Sequence, residues 1–325
     1  MASINDVAKR AKVAKSTVSL VLNNSGYVSA ETRAKVEKAI KELDYMPSQL
    51  ARNLSKMRTN LVGVVIPDAS HPFYGTFLKY AEESLYRYGY KTMLCETAER
   101  NNMEEEFLSM LKKQTMDGII MGTHSLMHDE YMKIDKPVVA FDRFLGDDIP
   151  IVRADHEMGG TLAAQKFIEK NCRHIVQISG ARIVNTPAHQ YHIAFSKELD
   201  KNCLEAADVV MPYNSFSEMD FKETAKMVFD RYPEVDGIFG ADMAILACLR
   251  EARARGRKVP EELHMLAYDG TYITRMGMYQ TDAIVQPVKD LAAQCVEYMD
   301  CLIREEPLRI HESVFPVKYQ KGDTL

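Results

Sequence analysis

Residues 11 to 29 read AKVAKSTVSLVLNNSGYVS, a run of small, apolar and hydroxylated side chains without one carboxylate. The chain around it is acidic, with a net charge of −5 over 325 residues, so the missing acids need a reason. Just upstream, Ser3 and Asp6 have the spacing of a capping box, and Ile4, Val7, Ala8 and Ala11 follow at helical intervals, which predicts a short first helix. A second helix starts near Lys15. Its Val18, Val21 and Leu22 can face a core, which turns Lys15, Ser16, Ser19, Leu20 and Asn23 outward or sideways. Asn24, Ser25 and Gly26 make a turn, and Ser29 can cap a third helix marked by Val36, Ile40 and Leu43. Two short helices a few residues apart, closed by a third, form a helix-turn-helix unit whose second helix fits a major groove. A surface that lies against phosphates excludes carboxylates. Hydroxyls, an asparagine and lysines can instead bond to phosphate oxygens or base edges.

Charge divides the same way as pattern. Residues 1 to 60 hold 11 lysines and arginines against 5 acids, a surplus of six, while the remainder holds 30 against 41. A basic arm on an acidic body is expected where one segment alone meets a polyanion. The six cysteines, at 95, 172, 203, 248, 295 and 301, form no C-x-x-C pair and read as reduced small hydrophobes of a cytoplasmic protein. Asp6, Lys9, Arg10, Lys12 and Lys15 interrupt any signal-peptide core, and no uncharged apolar run reaches membrane-spanning length.

From LVGVVIP (61–67) onward, short apolar runs alternate with helical stretches. Strands are predicted at 61–66, 90–95, 118–121, 138–141, 174–178, 237–239 and 264–268. Helices are predicted around 74–88, 103–114, 157–170, 217–231, 242–255 and 288–304. This alternation calls for right-handed β-α-β units and parallel sheets, an α/β class body behind the helical arm. The expected domains are 1–46 for the helix-turn-helix, 47–60 for a hinge, and 61–325 for a two-lobed body that binds effector and dimerises. Within the body, an N-lobe covers about 61–154 plus 287–312, and a C-lobe about 155–286 plus 313–325. Asp142, Asp242 and Asp269 all follow strands, where paired carboxylates could do acid–base work. No phosphate-binding loop, HExxH, GxSxG or dinucleotide fingerprint accompanies them, and His71, His124 and His128 lack metal-ligand spacing. Neither a catalytic residue, a metal nor a cofactor is therefore expected. Asp242 is as well placed to cap the helix after it as to touch a ligand.

The arm closely resembles the DNA-binding region of the LacI/GalR repressors, through DVA, STVS, VLN, VS-x-x-TR and LDY-x-P in order across about sixty residues. That resemblance implies base reading by Lys15, Ser16 and Leu20, and phosphate-side contacts by Thr17, Ser19 and Asn23. Many relatives carry arginine where Leu20 stands, and leucine offers only apolar contact such as to a thymine methyl. The body resembles the same family's periplasmic-binding-protein-like fold through HPFY (71–74), MDGII (116–120), AFDR (140–143), GGTLAA (159–164), AYDG (267–270) and IVQP (284–287). The implied effector residues are His71, Phe73, Tyr74, Asp142, Arg143, Tyr191 and Asp269. Tyr191, in YHIAF, stands where relatives usually have the arginine of an effector signature, which removes a bidentate clamp for an anion. SHPFYGTF, GTHSL, AFDRFLGDDIPIVRADH and AYDGT are most similar to the sucrose-operon repressors. The implied function is a homodimeric repressor of a sugar-utilisation operon, released from double-stranded operator DNA by a sugar or sugar-phosphate effector. A regulator whose co-repressor strengthens DNA binding remains open, as does a sugar-binding receptor or enzyme of the same fold.

In SQLARNLSKM (48–57), Leu50, Leu54 and Met57 fall at helical spacing among Arg52, Lys56 and Arg58. Ten residues cannot repay helix nucleation in water. The resemblance implies that two copies fold together in the minor groove, with Leu54 wedged into a base step. Leu54→Ala should therefore weaken operator binding far more than dimerisation or sugar binding. Hydrogen exchange should show amides 48–57 protected only with operator present; strong protection in the free dimer would overturn this coupled folding.

Overall fold

The computed structural model describes residues 2–46, 58–98, 103–123, 128–131, 133–183 and 186–325. Leu50, Arg52, Leu54, Lys56, Met57 and His124 lie outside the described residues. Two compact units are present, one ending at Thr59 and one running from Asn60 to Leu325.

The first unit contains α1 (Ile4–Ala11), α2 (Lys15–Asn23) and α3 (Ala30–Glu42). The Ser3 hydroxyl accepts from the Asp6 N–H while the Asp6 carboxylate accepts from the Ser3 N–H, so α1 starts with a complete capping box. Left-handed Lys12 and Asn24 end α1 and α2, and the Ser29 hydroxyl opens α3 by accepting from the Thr32 N–H. Val7, Val18 and Val36, one from each helix, are fully buried at the centre of the core.

The second unit holds two six-stranded sheets. The N-lobe sheet runs β11-β5-β4-β3-β1-β2 and is parallel throughout; its strands are β1 (Leu61–Ile66), β2 (Lys91–Glu96), β3 (Gly118–Met121), β4 (Val138–Phe141), β5 (Ile151–Ala154) and β11 (Glu312–Phe315). The C-lobe sheet runs β12-β10-β9-β8-β6-β7, from β6 (Ile175–Ser179), β7 (Ala206–Val210), β8 (Gly237–Ala241), β9 (His264–Asp269), β10 (Ala283–Val285) and β12 (Lys318–Gln320). Only β12 is antiparallel to its neighbour. Parallel neighbours need crossovers, which are α4 (Pro72–Arg87), α5 (Met103–Lys112) and α6 (His128–Tyr131) in the N-lobe. In the C-lobe they are α8 (His189–Asp200), α9 (Glu218–Arg231) and α10 (Asp242–Ala254), while α7 (His156–Glu169) carries the chain from β5 into the C-lobe strand β6. The late helix α11 (Val288–Ile303) returns to the N-lobe and packs on α4 and across β3, β4 and β5. β3 and β4 are buried along their whole length, as strands covered on both faces must be.

The chain passes between lobes three times, after Ala154, after Val285 and after Phe315. The last passage lies later than the expected position near 312, because residues 312–315 pair with β5 in the N-lobe sheet. β5, β7, β10, β11, β12, α6 and α8 are not among the segments that periodicity predicts. Four cysteines, at 95, 172, 248 and 295, are buried, while Cys203 is exposed.

One close approach positions the site. A Cβ on Gly160 in α7 would lie 2.0 Å from the carbonyl oxygen of Tyr191 in α8, so only glycine lets these helices meet. Gly160→Ala would gain up to about 1 kcal/mol of helix propensity against an overpacking cost of about 1–3 kcal/mol or more. The clash is with backbone and cannot be relieved by a rotamer, so net destabilisation in urea unfolding is expected, with loss of whatever binding depends on Tyr191. An unchanged midpoint would contradict the close packing.

Candidate functional site

In α2 the groove-facing candidates divide by exposure: Lys15, Ser16 and Asn23 are exposed, and Thr17, Ser19 and Leu20 are half-buried above the buried Val18 and Val21. Ala14 provides no side-chain cap and the first turn carries no acid, so the helix start presents bare amides and a positive dipole end. The Asn23 amide donates to the Ser19 hydroxyl at 3.2 Å, which aligns two of the polar candidates one turn apart. Leu20 lies against Gly26, where a Cβ would sit 3.2 Å from its Cδ2. In the turn beyond, Tyr27 is 93% exposed, an aromatic not singled out by sequence.

The second unit contains a cavity of about 180 Å³. From the N-lobe it is lined by His71, Phe73, Tyr74 and Asp142; from the C-lobe by Ser179, His189, Tyr191, His192, Asn214, Phe216, Tyr268, Asp269 and Gln286, among others. Six of the seven expected effector residues thus meet in one place. Arg143 does not line the cavity: it is buried, within electrostatic reach of Tyr74, Glu104, Tyr213 and Asp142, and burial lowers its pKa. Among the described residues, no lysine or arginine lines the cavity.

Aromatic packing shapes the walls. His71 precedes Pro72, the first residue of α4, and its ring sits 5.4 Å from Tyr74 and 5.8 Å from Phe216. The Nδ1 of His71 is buried without a hydrogen-bond partner among the described residues. Tyr191 stacks on Tyr268 at 3.8 Å and 14°. A phenol here contributes stacking area where a guanidinium would contribute charge.

The three strand-end aspartates differ in environment. Asp242, at the start of α10, neither caps its helix nor lines the cavity: its oxygens accept from the Gly270 N–H, the Thr271 N–H and the Thr271 hydroxyl at 3.0, 2.7 and 2.6 Å. Those bonds hold the turn after β9, where Asp269 and Gly270 both have positive φ. Among the described residues Asp269 accepts one side-chain bond, from Gln286 Nε2 at 2.8 Å. Burial, then the neighbouring Asp242, pushes its carboxyl well above the usual range. Burial also raises the Asp242 carboxyl, to about 7 against the three hydrogen bonds it accepts, so the proton this pair holds favours Asp269, which can then donate. Asp142, with positive φ at the end of β4, accepts from His156 Nε2 at 2.7 Å, and its backbone carbonyl accepts from the Thr186 hydroxyl at 2.9 Å. The other imidazole nitrogen, Nδ1, lies 2.6 Å from the Tyr268 hydroxyl. Sequence reasoning missed the lining residues His189, His192, Asn214, Phe216, Tyr268 and Gln286, and also His156 behind them, whose one local signal was its place after Asp155, which caps α7.

This geometry has counterparts. Residues 3–48 match the family model described as bacterial regulatory proteins of the lacI family, and residues 59–294 match that of periplasmic binding proteins and the sugar binding domain of the LacI family. The chain belongs to the LacI family. This LacI-family chain is 33% identical over 325 residues to the ribose operon repressor of Halalkalibacterium halodurans, covering 100% of the chain and 97% of that protein. It is 34% identical over 300 residues to the sucrose operon repressor of Streptococcus mutans, covering 92% of each. Among solved structures, a periplasmic binding protein/LacI transcriptional regulator from Alkaliphilus metalliredigens QYMF, complexed with D-xylulofuranose, is 27% identical with a TM-score of 0.73, covering 82% of this chain and 98% of that one. No helix among the described residues is long and apolar enough to cross a membrane, and none of their His, Cys, Asp and Glu side chains cluster to hold a metal ion.

Two cavity histidines carry a pH signature. Burial lowers the pKa of His71 from 6.5 to about 4, and that of His192, whose Nδ1–H donates to Gln177 at 3.1 Å, from 6.5 to about 3. Between those values and 6.5 the unfolded chain binds a proton that the folded chain refuses, so each histidine costs stability as pH falls through that window. At pH 5 the loss is roughly 2 kcal/mol per histidine. The raised carboxyl of Asp269 acts in the opposite sense, since the folded form takes up its proton first. Replacing one histidine isolates its share: His192→Asn should flatten the fall in urea midpoint between pH 7 and pH 5. An equal fall in both proteins would contradict a neutral, buried His192.

Proposed function

We propose that this LacI-family protein is a cytoplasmic, non-enzymatic repressor of a sugar-utilisation operon, which binds a pseudo-palindromic operator as a homodimer and is released by an uncharged sugar of about monosaccharide size. The observation that carries the ligand half is the cavity without a lining cation. A volume of about 180 Å³ lies below the roughly 300–1,000 Å³ usual for drug-sized ligands. A phosphate there would meet carboxyl groups and aromatic rings, with no lysine or arginine on the wall among the described residues and Arg143 acting only through its field on Tyr74 and Asp142. A sugar finds complementary partners: Asp142 and Gln286 to accept from hydroxyls, protonated Asp269 to donate, and Phe73, Tyr74, Phe216 and Tyr191 for its C–H faces. The ribose and sucrose operon repressors that resemble this chain, and the xylulofuranose in a solved relative, agree with that class.

For the DNA half, Lys15 suits a guanine edge, Leu20 a thymine methyl, and Ser16, Thr17, Ser19 and Asn23 phosphates or base edges. Leu54 completes the interface in the minor groove. Two copies match the two-fold symmetry of a pseudo-palindrome.

Gel shifts with selected genomic fragments test both halves. The protein should retard a pseudo-palindromic site, and a free sugar from a panel including ribose, fructose and sucrose should release it where the corresponding phosphate does not. Lys15→Ala should cost about 1–3 kcal/mol at that site and little on unrelated DNA. Asp142→Ala should keep DNA binding and lose the sugar response. Release by the phosphorylated sugar alone would overturn the ligand class; absence of any selected site would overturn the repressor.

A further inference from the structure

The imidazole of His156 touches both lobes. His156 is the first residue of α7, immediately after the chain leaves β5 for the C-lobe, and it is completely buried. Asp155 fixes the helix start by accepting from the Met158 N–H at 2.9 Å, so the ring has little freedom. Its Nε2 meets Asp142 Oδ1 at 2.7 Å, on a residue that closes an N-lobe strand, and its Nδ1 meets the Tyr268 hydroxyl at 2.6 Å, on a C-lobe strand. Tyr268 in turn lies face to face with Tyr191 at 3.8 Å. Asp142, Tyr268 and Tyr191 all line the cavity, whereas His156 does not. One turn further along α7, Gly159 leaves room for the phenol, since a Cβ there would fall 2.8 Å from a Tyr268 ring carbon.

The proton assignment follows from the partners. The Asp142 carboxylate can only accept, so Nε2–H donates to it. Nδ1 of a neutral ring then accepts, and the Tyr268 O–H donates. In the neutral ring one tautomer satisfies both bonds, and the chain Tyr268 to His156 to Asp142 then runs in a single direction. The pattern resembles a catalytic relay, yet Asp142 and Tyr268 line the cavity and, among the described residues, no serine or cysteine hydrogen-bonds the imidazole. The arrangement positions groups and performs no chemistry.

We propose that His156 is a positioning residue of the effector response, holding the Asp142 carboxylate for the sugar and transmitting its displacement to Tyr268 in the other lobe. This rests on the sugar-released repressor reading. A sugar hydroxyl that draws on Asp142 pulls one end of a bond whose other end is fixed through an inflexible ring. A shift of one lobe against the other must then lengthen either the Asp142 or the Tyr268 bond. Buried hydrogen bonds weaken steeply when stretched, so the two lobe arrangements differ in how well this bridge is made, and a ligand that favours one of them biases the equilibrium.

The two nitrogens can be separated by substitution. In His156→Gln the side-chain amide reaches the Nε2 position and keeps a donor for Asp142, with nothing left for Tyr268. In His156→Asn the amide matches Nδ1 and leaves Asp142 without its donor. Tyr268→Phe removes the phenol alone. With full-length protein, sugar affinity is measured by calorimetry and release as the ratio of operator affinities without and with saturating sugar; taking the ratio within each variant cancels partial loss of folded protein. The sugar used is the one that releases the wild type in the panel above. His156→Asn should lose sugar affinity by about tenfold or more. His156→Gln should hold sugar affinity within about threefold while its release ratio drops toward one, and Tyr268→Phe should show the same drop, with no further loss in the double variant. In protein labelled with ¹⁵N-histidine, the His156 ring should show one protonated and one bare nitrogen, and Tyr268→Phe should shift the bare one. A wild type that responds to sugar while His156→Gln and Tyr268→Phe respond equally overturns this inference alone. A wild type whose operator binding ignores every sugar overturns the repressor reading and this inference with it.

Discussion

A parallel strand must be followed by a crossover that carries the chain back to the opposite edge of its sheet, so the residues just past each strand gather along one edge. The cavity is the direct product of that constraint in two sheets. His71 to Tyr74 follow β1, Asp142 follows β4, Ser179 ends β6, Asn214 and Phe216 follow β7, Asp269 ends β9 and Gln286 follows β10. Residues far apart in sequence become neighbours because each occupies the same kind of position in its own β-α-β unit. The parallel pairing places them, and side-chain chemistry only has to be correct locally.

Within that edge, identical side chains are given different tasks by their surroundings. Three aspartates follow three strands. Three donated hydrogen bonds hold Asp242 as the internal anchor of the β9 turn. Burial beside that anchor keeps Asp269 neutral. Asp142, bonded to an imidazole that reaches the other lobe, is the carboxylate available to a ligand at the boundary. Desolvation sets the division, because two unpaired charges cannot be buried together at acceptable cost. The same economy explains why His71 and His192 stay neutral and why a tyrosine stands at the expected arginine position with its ring stacked on another.

Sequence revealed the parts of this design that repeat at short range. The capping box at Ser3, the buried stripe of α2 and the doubly apolar β3 and β4 were legible from periodicity. Six residues that line the cavity were legible only through resemblance. The segments that escaped share physical features. β7, AADVV, is an edge strand that opens on two alanines and an aspartate; β10 has three residues; β11 and β12 are half-exposed strands with polar alternation. α8 starts without a side-chain cap and carries two histidines and two aromatics in its sequence HQYHIAFSKELD, so its helical signal is weak. β5 is short and follows an acidic turn. The bond from His156 to Tyr268 joins positions 112 residues apart, a separation no local pattern can report. The role of Asp242 was ambiguous in sequence because a carboxylate at a helix start suits either capping or ligand, and tertiary structure supplied a third partner.

The three passages between lobes also govern the order in which the molecule can be built. β5 ends at Ala154, yet the helix that covers β3, β4 and β5 begins only at Val288, and the strand that pairs with β5 only at Glu312. During synthesis at about 5–20 residues per second, the N-lobe must wait on the order of ten seconds with one apolar face open. Throughout that interval the C-lobe emerges and folds beside it. A nascent chain of this design presents a sticky half-lobe to the ribosome exit and to its chaperones, and every completed molecule has had to bring residues 288–315 back to an N-lobe made long before.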